Sequence, residues 1–165
     1  MTQRIVVLLS GRGSNFQSLL NASLTGDLAG SIDLVISNRP HAGGLTIANN
    51  ANIDTALIDH QAYATRDAFD ADLAVVIDSV SPDLIVLAGF MRILTAGFVI
   101  PWVGRILNIH PSLLPKYKGL NTHARALEAG DRFAGCSVHY VTPDLDGGQV
   151  LGQAVVPILK NDDAK

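Results

Sequence analysis

RIVVLLSGRGSN, residues 4–15, joins a continuous aliphatic run to a short loop that contains two glycines. A β-branched and aliphatic run without polar alternation is typical of a strand covered on both faces, as in a parallel sheet. Comparable runs occur at residues 32–36 and 84–88, and apolar residues follow helical spacing at residues 15–24, 44–51 and 66–79. Strands and helices are therefore expected to alternate along this half of the chain.

This alternation predicts an α/β fold with a doubly wound, mostly parallel, Rossmann-like sheet and right-handed crossovers. Ser14 and Thr65 stand where helix N-caps are expected. After Gly104 a further inner strand is predicted at residues 105–109 and a helix at residues 122–129.

The C-terminal part of the sequence has a different pattern. Residues 137–142 (SVHYVT) alternate, and residues 149–156 follow an Asp-Leu-Asp-Gly-Gly turn. Two such strands around a turn predict an antiparallel C-terminal edge. No Pro- or Ser-rich linker divides the chain, so residues 1–165 are predicted to form a single domain.

Composition narrows the class of protein. Hydrophobic residues make up 48% of the chain and charged residues 16%, which argues against disorder. The formal net charge of −3 disfavours a nucleic-acid-binding protein. No apolar stretch approaches the roughly 20 residues that span a bilayer. The single cysteine, Cys136, cannot form an internal disulfide, so a cytoplasmic location is expected.

The loop SGRGSN, residues 10–15, lies between the first predicted strand and the first predicted helix. Glycines allow the backbone to approach a ligand closely, and a helix N-terminus favours an anion. A phosphate is therefore the ligand that this loop is expected to bind. The spacing matches neither G-x-G-x-x-G nor a Walker motif. The alternative is a tight turn that needs glycine for geometry alone.

Asn108 and His110 follow a predicted inner strand and are two residues apart. In an extended chain both side chains point to one face, where an amide and an imidazole could hold an oxyanion. The alternative is a histidine that is hydrogen-bonded for packing. The prolines after it leave open an unusual prolyl isomer.

Asp146 lies in the turn Thr-Pro-Asp-Leu-Asp-Gly-Gly, residues 142–148, whose composition is also that of an ordinary turn. If the loop folds against His110, the carboxylate would favour the charged imidazole and orient it. Local sequence does not place the two together.

The remaining histidines lack such a context and are interpreted as structural or superficial: His41, His60, His123 and His139. None belongs to a set with metal-ligand spacing, and Cys136 has no CxxC companion, so no metal is predicted.

Five segments together resemble the glycinamide ribonucleotide formyltransferase family: SGRGSN at residues 10–15, LAGFMRIL at 87–94, NIHPSLLPKYKG at 108–119, THARAL at 122–127 and SVHYVTPDLDGG at 137–148. The resemblance spans almost the whole chain, in order. It implies formyl transfer from 10-formyltetrahydrofolate to the amine of glycinamide ribonucleotide in purine biosynthesis. The N-terminal SGRGSN and the segment GLNTH resemble this branch in particular.

The resemblance also implies roles for individual residues. Asn108, His110 and Asp146 would be catalytic, and Gly13, Ser14 and Asn15 would hold the ribonucleotide phosphate. The folate pocket would be lined by Arg66, Met91, Arg92, Ile93, Leu94, Asn108, Val141, Thr142, Pro143, Asp144, Leu145 and Asp146. For Arg66, a solvated charge at a helix start remains an alternative. The partners would be these two small molecules, with the protein a monomer or a homodimer.

The chain departs from the family at residues 161–165, where the family would continue into a further helix and a tail. Those segments would supply part of the amine-substrate site. Two other functions are weighed: a formyltetrahydrofolate hydrolase, in which water replaces the amine, and a non-catalytic module that binds folate or a nucleotide.

Overall fold

A computed structural model describes residues 2–164 of the chain. Its strands are β1 Gln3–Leu9, β2 Gly30–Ser37, β3 Asp54–Leu57, β4 Leu84–Leu87, β5 Ile106–His110, β6 Phe133–Tyr140 and β7 Val150–Pro157. Its helices are α1 Ser14–Thr25, α2 Gly43–Asn50, α3 Arg66–Asp78, α4 Ala96–Val99 and α5 Thr122–Glu128, with 3₁₀ turns at His60–Ala62 and Ile100–Trp102.

The strands form one sheet in the order β3-β2-β1-β4-β5-β6-β7. Pairing is parallel from β3 through β5 and antiparallel from β5 to β6 and from β6 to β7. The predicted doubly wound sheet with an antiparallel C-terminal edge is therefore confirmed. The sequence reading missed β3 and α4, which are only four residues long.

The continuous apolar run of β1 is explained by two cores, one on each face of the sheet. Val6 and Leu8 pack with Phe69 of α3 in one core, while Val7 and Leu9 pack with Phe16 of α1 in the other. Because both faces of β1 are covered, residues 5–9 are apolar on either side of the strand. Burying one such large side chain stabilises the fold by about 1.5–3 kcal/mol.

The helix starts differ from one another in their caps. The Thr65 hydroxyl accepts a hydrogen bond from the Ala68 N–H at 3.2 Å, so the predicted cap of α3 is confirmed. The predicted Ser14 cap is wrong, because Ser14 is already helical and Gly13 holds the cap position with φ 86°. The chain leaves β1 through a left-handed turn that glycine tolerates, which moves the cap one residue earlier. Within residues 2–164, no helix is long and apolar enough to cross a membrane.

Candidate active site

The carboxyl ends of β1, β4 and β5 lie side by side, because these strands are parallel neighbours in the sheet. The chain runs outward from β1 to β2 and β3, and then returns to the other side of β1 as β4. The loops after β1 and β4 therefore flank the point where the strand order reverses, which is where such sheets bind ligands. Ser10 ties these loops together, since its N–H donates to the Gly89 carbonyl at 3.1 Å and its hydroxyl accepts from the Met91 N–H at 2.7 Å.

His110 is the last residue of β5, and only 5% of it is exposed. Its Nε2 lies 2.9 Å from the Tyr117 carbonyl oxygen, and its Nδ1 lies 3.4 Å from Oδ2 of Asp146. Carbonyl and carboxylate oxygens are both acceptors, so a ring with a proton on each nitrogen satisfies both neighbours. The surroundings thus present His110 as a proton donor.

Asp146 reaches His110 from the turn that follows β6. Its backbone is left-handed, with φ 46°, and its Oδ2 accepts a hydrogen bond from the Gly119 N–H at 2.8 Å. Its Oδ1 lies 3.6 Å from Nε2 of His139. The carboxylate therefore faces two imidazoles, and the loop after β5 and the turn after β6 meet at this side chain.

Asn108 shares the face of β5 that carries His110. In the antiparallel ladder Asn108 is opposite His139, and His110 is opposite Ser137. The amide nitrogen of Asn108 lies 3.1 Å from Nε2 of His139. One polar cluster on one face of the sheet therefore contains an amide, two imidazoles and a carboxylate.

The sequence reading missed His139, which is 2% exposed and contacts both Asn108 and Asp146. A signal was present in the alternation of SVHYVT, which places Ser137 and His139 on one face of a strand. The strand register that places this face beside Asn108 could not be predicted from the sequence.

The segment after His110 is tied to the rest of the fold on its outer side. The Leu114–Pro115 peptide bond is cis, the isomer that the sequence left open. Lys116 Nζ and the Tyr117 hydroxyl both donate to Asp131, at 2.9 and 2.8 Å. The hydrogen bonds from Lys116 and Tyr117 hold the pKa of the Asp131 carboxyl below its ordinary value. These contacts fix the residues that present their backbone to His110 and Asp146.

The predicted phosphate loop leads into α1. Gly13 is buried, and a Cβ there would lie 2.6 Å from Cα of Gly44. Ser14 and Asn15 are exposed at the first turn of α1, and no side chain among residues 2–164 caps this end. The first amide groups of the helix are thus open to an anion.

The predicted folate residues lie on two segments that meet at the core. Leu94 is buried in the cluster against which Val141 packs. Met91, Ile93 and Leu145 are 60%, 52% and 52% exposed, an unusual exposure for large apolar side chains. Thr142 bonds the Asp144 carbonyl at 3.2 Å and so orders the turn, from which Pro143 and Asp144 project into solvent.

One arginine begins α3, and a second contacts the first turns of this helix from the segment after β4. Arg66 is the first residue of the helix and is exposed, and within residues 2–164 its side chain has no hydrogen bond or ion pair. Arg92 stacks on Phe69, with Cζ 4.3 Å from the ring centroid, and its buried Nε has no partner in the described chain. Phe69 is one turn after Arg66, so both guanidinium groups are near this end of the helix.

Two cavities among the described residues are not lined by the residues of the polar cluster. Among residues 2–164, no three His, Cys, Asp or Glu side chains are grouped as a metal site requires. A cavity of about 320 Å³ lies between residues 111–117, α5 and the start of β6, and another of about 590 Å³ lies between α5, β6 and β7. Neither is lined by His110 or Asp146.

Comparison with known proteins gives a consistent result. The sequence profile of the family described as formyl transferase matches residues 3–165. Phosphoribosylglycinamide formyltransferase of Escherichia coli is 51% identical over 158 residues, which cover 96% of this chain and 74% of that protein. The Haemophilus influenzae enzyme of the same name is 46% identical over 160 residues, 97% of this chain and 76% of that protein.

A solved structure agrees with these relatives. Phosphoribosylglycinamide formyltransferase of Coxiella burnetii superimposes with a TM-score of 0.93 at 51% identity, over 99% of this chain and 77% of that one. The sequence, the fold and the polar cluster at the sheet edge are thus all consistent with one family. The chain belongs to the formyl transferase family, within its phosphoribosylglycinamide formyltransferase branch.

Proposed function

We propose that this protein transfers the formyl group of 10-formyltetrahydrofolate to the amine of glycinamide ribonucleotide, a step of de novo purine biosynthesis. The observation that carries the proposal is the contact of His110 Nδ1 with Asp146 Oδ2 at 3.4 Å, in a buried cluster with Asn108 at the carboxyl edge of the sheet. Membership of the phosphoribosylglycinamide formyltransferase branch supplies the reaction class.

The proposed chemistry follows from the donors in this cluster. The substrate amine attacks the formyl carbon, the carbonyl oxygen takes the negative charge, and the C–N bond to the folate nitrogen then breaks. Asn108 donates a hydrogen bond to that oxyanion, and loss of one such donor typically costs roughly 100- to 1000-fold in rate. His110, as imidazolium, stabilises the negative charge and moves a proton. Asp146 holds the protonated imidazole and, through water, helps carry the amine proton to the departing folate nitrogen.

The two substrates are assigned to different parts of the sheet edge. The ribonucleotide phosphate binds Gly13, Ser14 and Asn15, where exposed amides of α1 attract an anion. The pterin lies against residues 91–94 and 141–146, whose exposed apolar side chains it would cover. Arg66, exposed and unpaired among the described residues, suits a glutamate carboxylate of the folate tail.

Two other functions use parts of the same site. A hydrolase would need the same oxyanion donors but would accept water in place of the amine. A non-catalytic module would bind folate or nucleotide without turnover. The relatives favour neither, since those compared above are named as formyltransferases.

The test mixes the protein with 10-formyltetrahydrofolate and follows the folate absorbance before and after glycinamide ribonucleotide is added. We expect a change only after the addition, abolished by His110→Ala and retained in His41→Ala, which alters an exposed histidine. Deformylation without the amine would instead support the hydrolase. Binding without turnover, equal in both variants, would support the binding module.

We infer that residues 1–165 form one catalytic domain, of which the two end residues lie outside the described range. The E. coli relative is longer, since the match covers 74% of it. In relatives of that length, further residues are expected to add contacts to the amine substrate. A cytoplasmic location and a monomeric or homodimeric state stay predictions.

A further inference from the structure

The hydroxyl of Ser137 is a junction between β6 and the segment after His110. Ser137 is fully buried, and its Oγ donates to the Ser112 carbonyl at 2.7 Å and accepts from the Leu114 N–H at 3.0 Å. A hydroxyl has one proton to donate and two lone pairs to accept with. One lone pair therefore remains for a third partner.

That third partner comes from the edge strand. The side-chain Nε2 of Gln153, in β7, donates to Ser137 Oγ at 2.8 Å and to the Leu114 carbonyl at 2.9 Å. Gln153 and Ser137 are directly opposite in the β6–β7 ladder, so the amide reaches across one strand to the segment beyond it. Both polar groups of the Leu114 backbone are thereby held by these two side chains.

Leu114 lies on the short path between His110 and the backbone groups that His110 and Asp146 contact. The Tyr117 carbonyl is 2.9 Å from His110 Nε2, and the Gly119 N–H donates to Asp146 Oδ2 at 2.8 Å. Ser112 adds a bond within the same segment, from its hydroxyl to the Lys116 carbonyl at 2.6 Å. A shift at Leu114 is therefore transmitted to the contacts that orient both reacting groups.

We propose that Gln153 is a positioning residue for formyl transfer: from the edge strand it anchors Leu114, and through it sets the geometry of His110 and Asp146. The inference rests on the function proposed above. Gln153 touches neither reacting group, so its effect must pass through the segment after His110. A misplacement on the order of 1 Å in such a site can cost about 100-fold in rate.

The first experiment replaces Gln153 by Met, which keeps the length of the side chain and removes its donor. Gln3→Met is the matched control, because Gln3 is exposed at the amino end of β1. We expect kcat to fall roughly 10- to 100-fold while KM for either substrate changes by less than about twofold. In a His110→Ala background, Gln153→Met should cause no further fall. An equal loss in both backgrounds, or kcat equal to that of the control, overturns the proposal.

A second readout does not depend on turnover. The N–H groups of Leu114 and Gly119 donate to Ser137 Oγ and Asp146 Oδ2. Their amide hydrogen exchange should be faster in Gln153→Met than in Gln3→Met, while exchange in β1 stays unchanged. Equal exchange in the two variants overturns the anchoring role. If the unaltered protein transfers no formyl group, the proposed function fails, and the exchange measurement still decides whether Gln153 anchors the segment.

Discussion

The amide nitrogen of Asn108 lies 3.1 Å from Nε2 of His139, and this contact determines which way the amide faces. Nδ1 of His139 lies 2.9 Å from the Tyr140 carbonyl, which can only accept, so Nδ1 carries a proton. Nε2 then offers a lone pair to one N–H of Asn108. The second N–H stays available for the proposed oxyanion, so His139 orients the amide that we propose as its donor.

Replacing His139 by Phe removes this acceptor from the buried cluster. We expect kcat for formyl transfer to fall roughly 10- to 100-fold, because a misoriented amide loses part of an oxyanion donor's effect. His139→Gln, which can still accept from Asn108, should retain more activity than His139→Phe. Single-turnover rates, with thermal melts to verify folding, give the comparison. Equal rates in the two variants would count against an orienting role.

Asp146→Asn tests the carboxylate that faces His110 and His139. The amide can still accept from the Gly119 N–H, so the turn should keep its shape, but the negative charge beside both rings is lost. We expect kcat/KM to drop about 100-fold or more, as when the carboxylate partner of a catalytic imidazole is neutralised. Asp54→Asn, at the far edge of the sheet, is the control. A loss below about threefold would refute the proposed role.

The inner strands of the fold were predictable. Both faces of the sheet are covered there, so each inner strand is a continuous apolar run in the sequence. β3 was not, because it is a four-residue edge strand whose residues are exposed or half-buried. The cap of α1 was displaced by one residue, because a left-handed glycine ends the turn before Ser14. Short edge elements and turn geometry depend on tertiary contacts that local patterns do not contain.

The candidate site likewise has one relation that could be predicted from the sequence and others that could not. That Asn108 and His110 share a face follows from the two-residue period of a strand and is seen in the ladder with β6. The contact of Asp146 with His110 joins the end of β5 to a turn that is distant in sequence, and the place of His139 depends on strand register. Neither relation is a local property, so neither could be derived from residue spacing.

Gly13→Ala tests the turn into α1. Gly13 has φ 86°, and a Cβ there would lie 2.6 Å from Gly44 Cα, so the substitution forces backbone to move. We expect a loss of about 1–3 kcal/mol in the free energy of unfolding. KM for glycinamide ribonucleotide should also rise, since the amides that we propose to bind its phosphate would shift. Gly11→Ala is the matched control, because its Cβ would meet nothing within 4 Å. Urea denaturation and steady-state kinetics would contradict the prediction if both variants behaved alike.

Asp131 makes the stability of the segment after His110 sensitive to acid. Hydrogen bonds from Lys116 and Tyr117 lower its pKa in the folded protein below the ordinary value of 3.8. A lowered folded pKa contributes stability that is present above 3.8 and is lost as pH falls below it through the folded value. Asp131→Asn should therefore lower the urea midpoint at about pH 7, and the difference from the unaltered protein should shrink towards about pH 3. A difference that stays constant across this range would show that the ion pair contributes nothing to the acid response.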